Sequence, residues 1–338
     1  AQTHEQYSIR TSDLNITSKK YSKVTSLSYN PQQPNSMFLN TMNALVQQAL
    51  FLATTSTSSS SFHILPVDWK PEGSTKKWLR QQHSNKHNTT TDPYNNPSWI
   101  KLLEEQVLIY SGKIQTNPNH PFVSSSFQKN DNTTIYKACG IIPNTTPLSL
   151  LELLLDSNRV GEYNAYSLGR TDEVVFHDFI NNNDDEDVVT TSNSDDETMP
   201  LFCGKGTTKI VCSETKIPFT NQKVFLRNIT HARKLVFPNA ERSTKQENDN
   251  ATKDATNNYN SNGYIIVSRS ITSPLQKKQQ NEIVWGINVL QSIPNYPNKT
   301  ILTSVSQVKS NMVPGFMAHQ IGMMGVVDFF KNVRSVMV

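Results

Sequence analysis

The sequence predicts an α+β fold in which an antiparallel sheet packs against a long C-terminal helix. Strand-like runs follow one another without the regular alternation with helices that is typical of parallel sheets, and the chain ends in one strongly apolar helical segment. The hydrophobic fraction of 36% lies below the roughly 45–50% of an average globular chain. The 338 residues therefore predict an ordinary core interrupted by long polar tracts.

The predicted strands are rich in Val, Ile, Thr and aromatic residues, a composition typical of strands with one buried face. They comprise residues 99–104, 107–115, 133–141, 172–180, 208–216, 223–234, 264–272, 282–293 and 299–310.

Three helical segments are predicted from apolar residues spaced three or four apart. The first covers 37–53. The second begins at Pro147, since proline suits the first turn of a helix, and a short helical turn follows it near 162–166. The last and most apolar helix runs from Pro314 to about Val336.

The composition divides the chain into two regions. Residues 1–97 are predicted to be mostly disordered apart from the helix at 37–53, and residues 98–338 to form the folded domain with disordered insertions at 181–206 and 236–262. Segment 181–200 holds seven acidic and no basic residues, so the rest of the chain is more basic than the net charge of +4. A basic body favours contact with anionic membrane surfaces.

No motif for nucleotide, metal or nucleophilic chemistry occurs: the sequence lacks phosphate-binding glycine loops, HExxH and GxSxG. We therefore expect a protein without enzymatic activity, cofactor or metal. Three cysteines without CxxC spacing indicate a reducing, cytoplasmic compartment. No run of five basic residues points to nucleic acid, and no segment is apolar enough to span a bilayer.

Two arginines stand on apolar strand faces. Arg227 shares a face with Phe225 and Ile229, and Arg269 shares one with Ile265. An arginine that faces a core must be paired or must bind an anion. Both explanations remain open from the sequence: an internal ion pair, or contact with a ligand.

Several stretches between 99 and 336 occur in an order that resembles the START family, the StAR-related lipid-transfer domains. Glu162 matches the acidic residue of the family's R-x-E-W-D turn, while Tyr163 replaces its Trp. The stretches that carry the resemblance are TTIYKACGII, DSNRVGEYNAY, KIPFTNQKVFLR, GYIIVSRSIT and MVPGFMAHQIGMMGVVDFFKNVR.

The resemblance implies a helix-grip fold: a curved antiparallel sheet of about nine strands around the last helix, with a tunnel between them. Such a domain would bind one sterol, phospholipid or similar lipid and transfer it between membranes. A two-chain lipid has roughly 30 methylenes, and exposing each of them to water costs about 0.8 kcal/mol, or on the order of 20 kcal/mol in all. A carrier must therefore enclose its lipid. The implied gate is the loop of Ile217, Pro218 and Phe219.

The lipid-binding residues that we predict fall into three groups. The polar anchors, with one residue of the turn, are Arg159, Tyr163, Arg227 and Arg269. The residues of the strand wall are Trp285, Asn288 and Gln307. The residues of the last helix are Phe316, Met323, Val327 and Phe330. Trp285 and Asn288 have opposite strand parity, so a regular strand cannot direct both into the tunnel.

Two alternatives to a carrier remain open. One is a lipid-sensing regulatory module of a larger protein, which would agree with a chain that begins at Ala1. The other is an enzyme on the same scaffold, which would require a titratable pair on inward-facing strand positions.

Overall fold

The structure is a computed structural model, and it describes residues 36–54, 67–84, 97–113, 134–176, 188–189, 201–218, 222–238, 259–271, 281–310, 312–313 and 315–338.

A curved antiparallel sheet forms the body of the described chain. Its hydrogen-bonded order is β1-β2-β3-β10-β9-β8-β7-β6-β4, and the two-residue β5 pairs with the start of β6. The strands are β1 Lys70–Pro71, β2 Leu108–Gly112, β3 Ile135–Pro143, β4 Ser167–Phe176, β5 Val188–Val189, β6 Leu201–Lys216, β7 Lys223–Pro238, β8 Tyr259–Ser270, β9 Asn281–Ile293 and β10 Tyr296–Ser310.

Six α-helices accompany the sheet in the described residues, with a 3-10 turn at Ser157–Arg159. They are α1 Ser36–Thr54, α2 Gly73–Ser84, α3 Pro97–Glu105, α4 Pro147–Leu155, α5 Val160–Tyr163 and α6 Gly315–Val336. The predicted α+β class, with a curved antiparallel sheet around a long C-terminal helix, is confirmed.

One face of the sheet packs against α4, α5 and α6. We call it the inner face, and Ala232, Ile266, Leu290 and Leu302 define it. The C-terminal half of α6 is fixed there: Phe330 and Val333 are fully buried, and the Arg334 guanidinium donates to the carbonyl oxygens of three residues. These acceptors are Ile141, Leu103 and Gln106.

The opposite, outer face packs against α1. Leu45, Val46 and Ala49 of the helix are fully buried with Val267 and Trp285 of the sheet. Each strand directs successive side chains to opposite faces, and buried apolar residues occur on both faces. The sheet therefore lies between two helical layers.

The outer face also buries polar groups beneath α1. Arg233 donates from Nη1 to Asn43 Oδ1 at 2.8 Å, which ties the helix to β7. His231 is fully buried with Nδ1 at 2.8 Å from the hydroxyl oxygen of Thr208. Burial, with the nearby charge of Arg233, lowers the pKa of His231 to about 3, so the imidazole is neutral.

Two predictions about the first third of the chain need correction. Residues 99–104 belong to helix α3, whose Ile100 and Leu103 are buried, and not to a strand. The predicted helix at 37–53 is confirmed as α1, but it belongs to the core, and β1 and α2 lie within the region predicted as disordered. Residues 1–35 and most of both predicted insertions lie outside the described residues.

Candidate functional site

A cavity of about 780 Å³ lies between the inner face and α6, whose lining residues extend from Ala318 to Asn332. Residues from the sheet, from α5 and its following turn, and from α6 line it. Val308 lines the cavity and is also 51% exposed, so the mouth lies near the end of β10.

The sheet side of the cavity, which we call the floor, is predominantly polar. Alternate positions of β6 to β10 contribute hydroxyl and amide side chains to it: Ser213, Asn228, Thr230, Ser268, Asn288, Ser304 and Ser306. Because side chains alternate along a strand, the apolar residues between these positions belong to the outer face.

Two hydrogen bonds between the neighbouring strands β7 and β8 involve floor residues. The hydroxyls of Thr230 and Ser268 lie 3.0 Å apart, and Ser270 donates to Asn228 Oδ1 at 2.9 Å. Asn288 Oδ1, in contrast, is buried and has no hydrogen-bond partner in the described part of the chain. This oxygen has less than 1 Å² of accessible surface, so it is shielded from the cavity although Asn288 is one of the lining residues.

The α6 side, which we call the ceiling, is predominantly apolar. Its residues recur three or four apart along one stripe of the helix: Ala318, Gly322, Gly325, Val326 and Phe329. A Cβ added to Gly325 would meet no heavy atom within 4 Å, so this position faces open space. Hydroxyl and amide groups are therefore concentrated on the sheet side of the cavity. Apolar residues also line that side, namely Val211, Leu226, Ile266 and Val308, and α6 also contributes His319, Asp328 and Asn332.

Tyr136 of β3 holds α6 at one side of the cavity. Its hydroxyl lies 3.1 Å from His319 Nδ1 and 3.4 Å from the His319 carbonyl oxygen. Burial raises the pKa of Tyr136 to about 12, so the phenol remains a hydrogen-bond donor over the physiological range.

At the other side, α6 is held by the α5 region. Tyr166 donates to Asp328 Oδ2 at 3.2 Å, and Asn332 donates from Nδ2 to the Tyr163 carbonyl oxygen at 3.5 Å. The Tyr163 ring also packs edge-on against Phe329, with ring centroids 6.1 Å apart. The helix over the cavity is thus attached through polar contacts at both sides.

A charged cluster lies near α4. Lys209 Nζ is 2.9 Å from Asp172 Oδ2, and Arg170 donates to Ser157 Oγ at 2.9 Å and to the Leu154 carbonyl oxygen at 3.0 Å. Burial raises the pKa of Asp172, but hydrogen bonds from Ser157 and Lys209 outweigh this and lower it overall. These charges stabilise one another and the end of α4.

Of the predicted lipid-binding residues, Tyr163 and Asn288 line the cavity. The other four predicted strand residues do not line the cavity, and three of them, Trp285, Arg227 and Arg269, lie on the outer face. Arg227 pairs with Glu173, with Nη2 to Oε2 at 2.5 Å, and Arg269 stacks over the Trp285 ring at 4.5 Å.

Gln307 also belongs to the outer face, since it stands opposite Trp285 while its neighbours Ser306 and Val308 line the cavity. Arg159 is corrected too: it forms a surface salt bridge with Glu162 at 2.8 Å and does not reach the cavity.

The predicted α6 residues are displaced by about one position around the helix. Phe330 is buried against the sheet near Gly140, Met323 packs into the inner core, and Val327 is 45% exposed. Their neighbours Gly322, Val326 and Phe329 line the cavity instead. The predicted helix is thus the one beside the cavity, but a different stripe of its residues faces the cavity.

The predicted gate loop is only partly described. Ile217 is buried and Pro218 half-buried. Phe219 lies outside the described residues, as does the side chain of Phe316. The gate therefore stays a prediction.

Most floor residues were missed from the sequence. The signal that could have found them is a run of hydroxyl residues at every second position, as in Ser304 and Ser306, on strands whose other face is apolar. The predictions favoured arginine and tryptophan instead, and Arg227, Arg269 and Trp285 lie on the outer face.

No family model matches the sequence, and no curated protein matches it. Solved structures similar to this chain include human STARD10, at 8% identity over 89% of this chain and 80% of that one, with a TM-score of 0.41. Human StAR-related lipid transfer protein 5 is 10% identical over 78% and 93% of the two chains, with a TM-score of 0.38.

A Streptomyces aromatase/cyclase, Zhui, is also found, at 9% identity over 60% of this chain and 93% of its own, with a TM-score of 0.28. The expected similarity to START domains is found, at low sequence identity.

No described helix has both the length and the apolar character needed to cross a membrane.

Proposed function

We propose that this chain binds one lipid-like molecule in the cavity beneath α6 and transfers it between membranes without catalysing a reaction. The observation that carries the proposal is the cavity itself, whose volume of about 780 Å³ lies within the range of about 300–1,000 Å³ typical of pockets for one small molecule. A gap of this size inside a packed domain far exceeds ordinary packing defects, which are rarely larger than a water molecule.

The attachment of α6 supports entry and release at one end. Its last two turns are fixed by Phe330, Val333 and Arg334, whereas the preceding part above the cavity is attached through Tyr136 at His319 and through Tyr166 at Asp328. Hydrogen bonds at a partly exposed edge can exchange with water at low net cost, while buried apolar contacts cannot. Loading would therefore displace the N-terminal half of the helix.

The mouth also suits a membrane surface. The exposed Val308 stands beside Lys309 at the cavity rim, and the whole chain has a net charge of +4. An apolar residue next to a basic one favours transient contact with an anionic interface. A cytoplasmic, peripheral location follows as part of the same proposal.

The side chains around the cavity support a carrier over an enzyme. Three of the titratable groups that line it are engaged with protein partners: His319 with Tyr136, Asp328 with Tyr166, and Arg170 with Ser157. An enzyme would require a group held within reach of the reacting atoms and poised to exchange a proton.

A vesicle transfer assay tests this function. Donor vesicles carry fluorescent cholesterol or fluorescent phosphatidylcholine with a quencher, and acceptor vesicles contain neither. The full chain should accelerate transfer of at least one probe at least 10-fold and return it chemically unchanged. Binding without transfer would instead support the lipid-sensing module, and conversion of the probe would support an enzyme; either result overturns the proposal.

A further inference from the structure

The geometry points to an uncharged, facially amphipathic ligand: a rigid polycyclic skeleton with several hydroxyl or carbonyl groups along one face and hydrocarbon along the other. This inference rests on the proposed function, because it names the class of molecule for the same cavity. It starts from the contrast between the polar floor and the apolar ceiling.

The polar groups of the floor extend across four strands. Thr230 of β7 stands opposite Ser268 of β8, and Gly286 of β9 separates that pair from Ser306 of β10. Neighbouring strands are about 4.8 Å apart, so the row extends over about 14 Å. A single headgroup at one end of an alkyl chain cannot pair with groups spread over this distance, whereas substituents along a rigid skeleton can.

The next row adds a second pair of neutral polar residues. Asn288 stands opposite Ser304, and both residues line the cavity. Hydrocarbon laid against polar side chains deprives them of the hydrogen bonds that they make with water, and that loss is costly. Hydroxyl groups on the ligand therefore suit this row better than an alkyl chain.

The charges around the cavity disfavour an anionic ligand. A carboxylate or phosphate in a low-dielectric site needs a cation held against it. The two arginines predicted for this role, Arg227 and Arg269, lie on the outer face, and Arg170 is engaged with Ser157 and the Leu154 carbonyl. Lys309 lines the cavity at its rim, beside the exposed Val308, and not at the centre of the floor. The polar groups at the centre of the floor are neutral.

The ceiling fits the apolar face of such a skeleton. Gly325 leaves the helix backbone without a side chain where it faces the cavity, and the Phe329 ring lies one turn further along the same stripe, while Gly322 is covered by the Tyr136 ring. A surface formed by backbone and one aromatic ring is broad and smooth, which suits contact with a rigid ring system.

Binding of four named probes to the purified full chain tests the inference. The first is a cholestane triol whose hydroxyls all lie on one ring face, and the second is the cholestane mono-ol with the same ring stereochemistry. The others are oleate and dioleoylphosphatidylcholine. We expect the triol to bind at least 10-fold more tightly than each of the other three.

Variants connect the preference to the floor. Asn288→Leu should weaken triol binding at least 10-fold and mono-ol binding less than threefold, and the double variant Ser304→Ala with Ser306→Ala provides a second test should Asn288→Leu not fold. Thr303→Ala, on the outer face of β10 with its hydroxyl directed to Cys139 Sγ, is the matched control and should change neither affinity.

The outcomes separate the two proposals. Equal or weaker binding of the triol than of the mono-ol, or a preference unaffected by the floor variants, overturns the inference and leaves the carrier function standing. Folded protein that binds none of the four probes overturns both.

Discussion

The aromatic ring of Tyr136 lies directly against the backbone of Gly322. A Cβ placed on this glycine would be 2.6 Å from Cε2 and 2.8 Å from Cζ of the ring. The close approach brings the Tyr136 hydroxyl within reach of His319, one turn earlier in α6. One glycine thus allows β3 to hold the half of α6 that covers the cavity.

Gly322→Ala should destabilise the protein, because the added methyl group cannot fit without moving α6 or the tyrosine ring; we expect about 1–3 kcal/mol. Gly325→Ala, three residues further along the same helix, should be neutral or stabilise by up to about 1 kcal/mol, since its Cβ would stand in open space. Chemical denaturation measures both. Equal effects of the two substitutions would contradict the described position of Tyr136.

Gly325→Leu should block ligand uptake without unfolding the protein, because the side chain would project into the cavity. We expect ligand affinity to fall at least 10-fold while the midpoint of denaturation is unchanged or higher. Val327→Leu, at an exposed position of the same helix, is the control and should leave affinity unchanged. Full binding by Gly325→Leu would show that the ligand lies elsewhere.

Arg227→Ala should reduce stability and leave ligand affinity unchanged. The Arg227 side chain is 10% exposed and pairs with Glu173 on the outer face, so its loss leaves a carboxylate without its partner, at a cost of about 1–3 kcal/mol. Arg159→Ala removes a solvent-exposed ion pair and should have little effect on either property. A loss of ligand binding with stability intact would assign Arg227 to the ligand after all.

His231 should make the protein less stable as the pH falls. Its pKa is about 3 in the folded protein and near 6.5 when exposed, so between these values the unfolded chain binds the extra proton. The free energy of unfolding should therefore decrease by up to about 1.4 kcal/mol per pH unit from pH 6.5 downward through this residue alone.

His231→Asn isolates this contribution from the carboxylates that titrate in the same range. The asparagine amide can retain a hydrogen bond to Thr208, and the variant should show a shallower loss of stability between pH 6.5 and pH 4. Denaturation curves at several pH values measure the slope. Identical slopes for both proteins would mean that the imidazole is not buried in its neutral form.

Much of the fold was predictable because local patterns determine it. The strands alternate apolar and polar residues, and Pro147 begins α4 with Thr146 as its N-cap. The segment 99–104 was assigned to the wrong class because a short apolar run with Trp and Ile fits a strand as well as a helix.

The candidate site was less predictable for a geometric reason. Strand parity tells which residues share a face, and it grouped Arg227 with Ile229 correctly, but it cannot tell which face carries the cavity. That depends on α1, which covers the outer face with a segment more than 150 residues away in the sequence. Similarly, the helical period selected α6 but not the stripe from Ala318 to Phe329 that meets the cavity.

Native mass spectrometry of the full chain, after exposure to a cellular lipid extract and gentle removal of excess lipid, tests the central claim most directly. We predict one added mass per chain, consistent with an uncharged molecule that can be extracted into organic solvent, and its loss in Gly325→Leu but not in Val327→Leu. A folded chain that appears only at its own mass, or that carries the same ligand when the cavity is filled by leucine, would contradict the account.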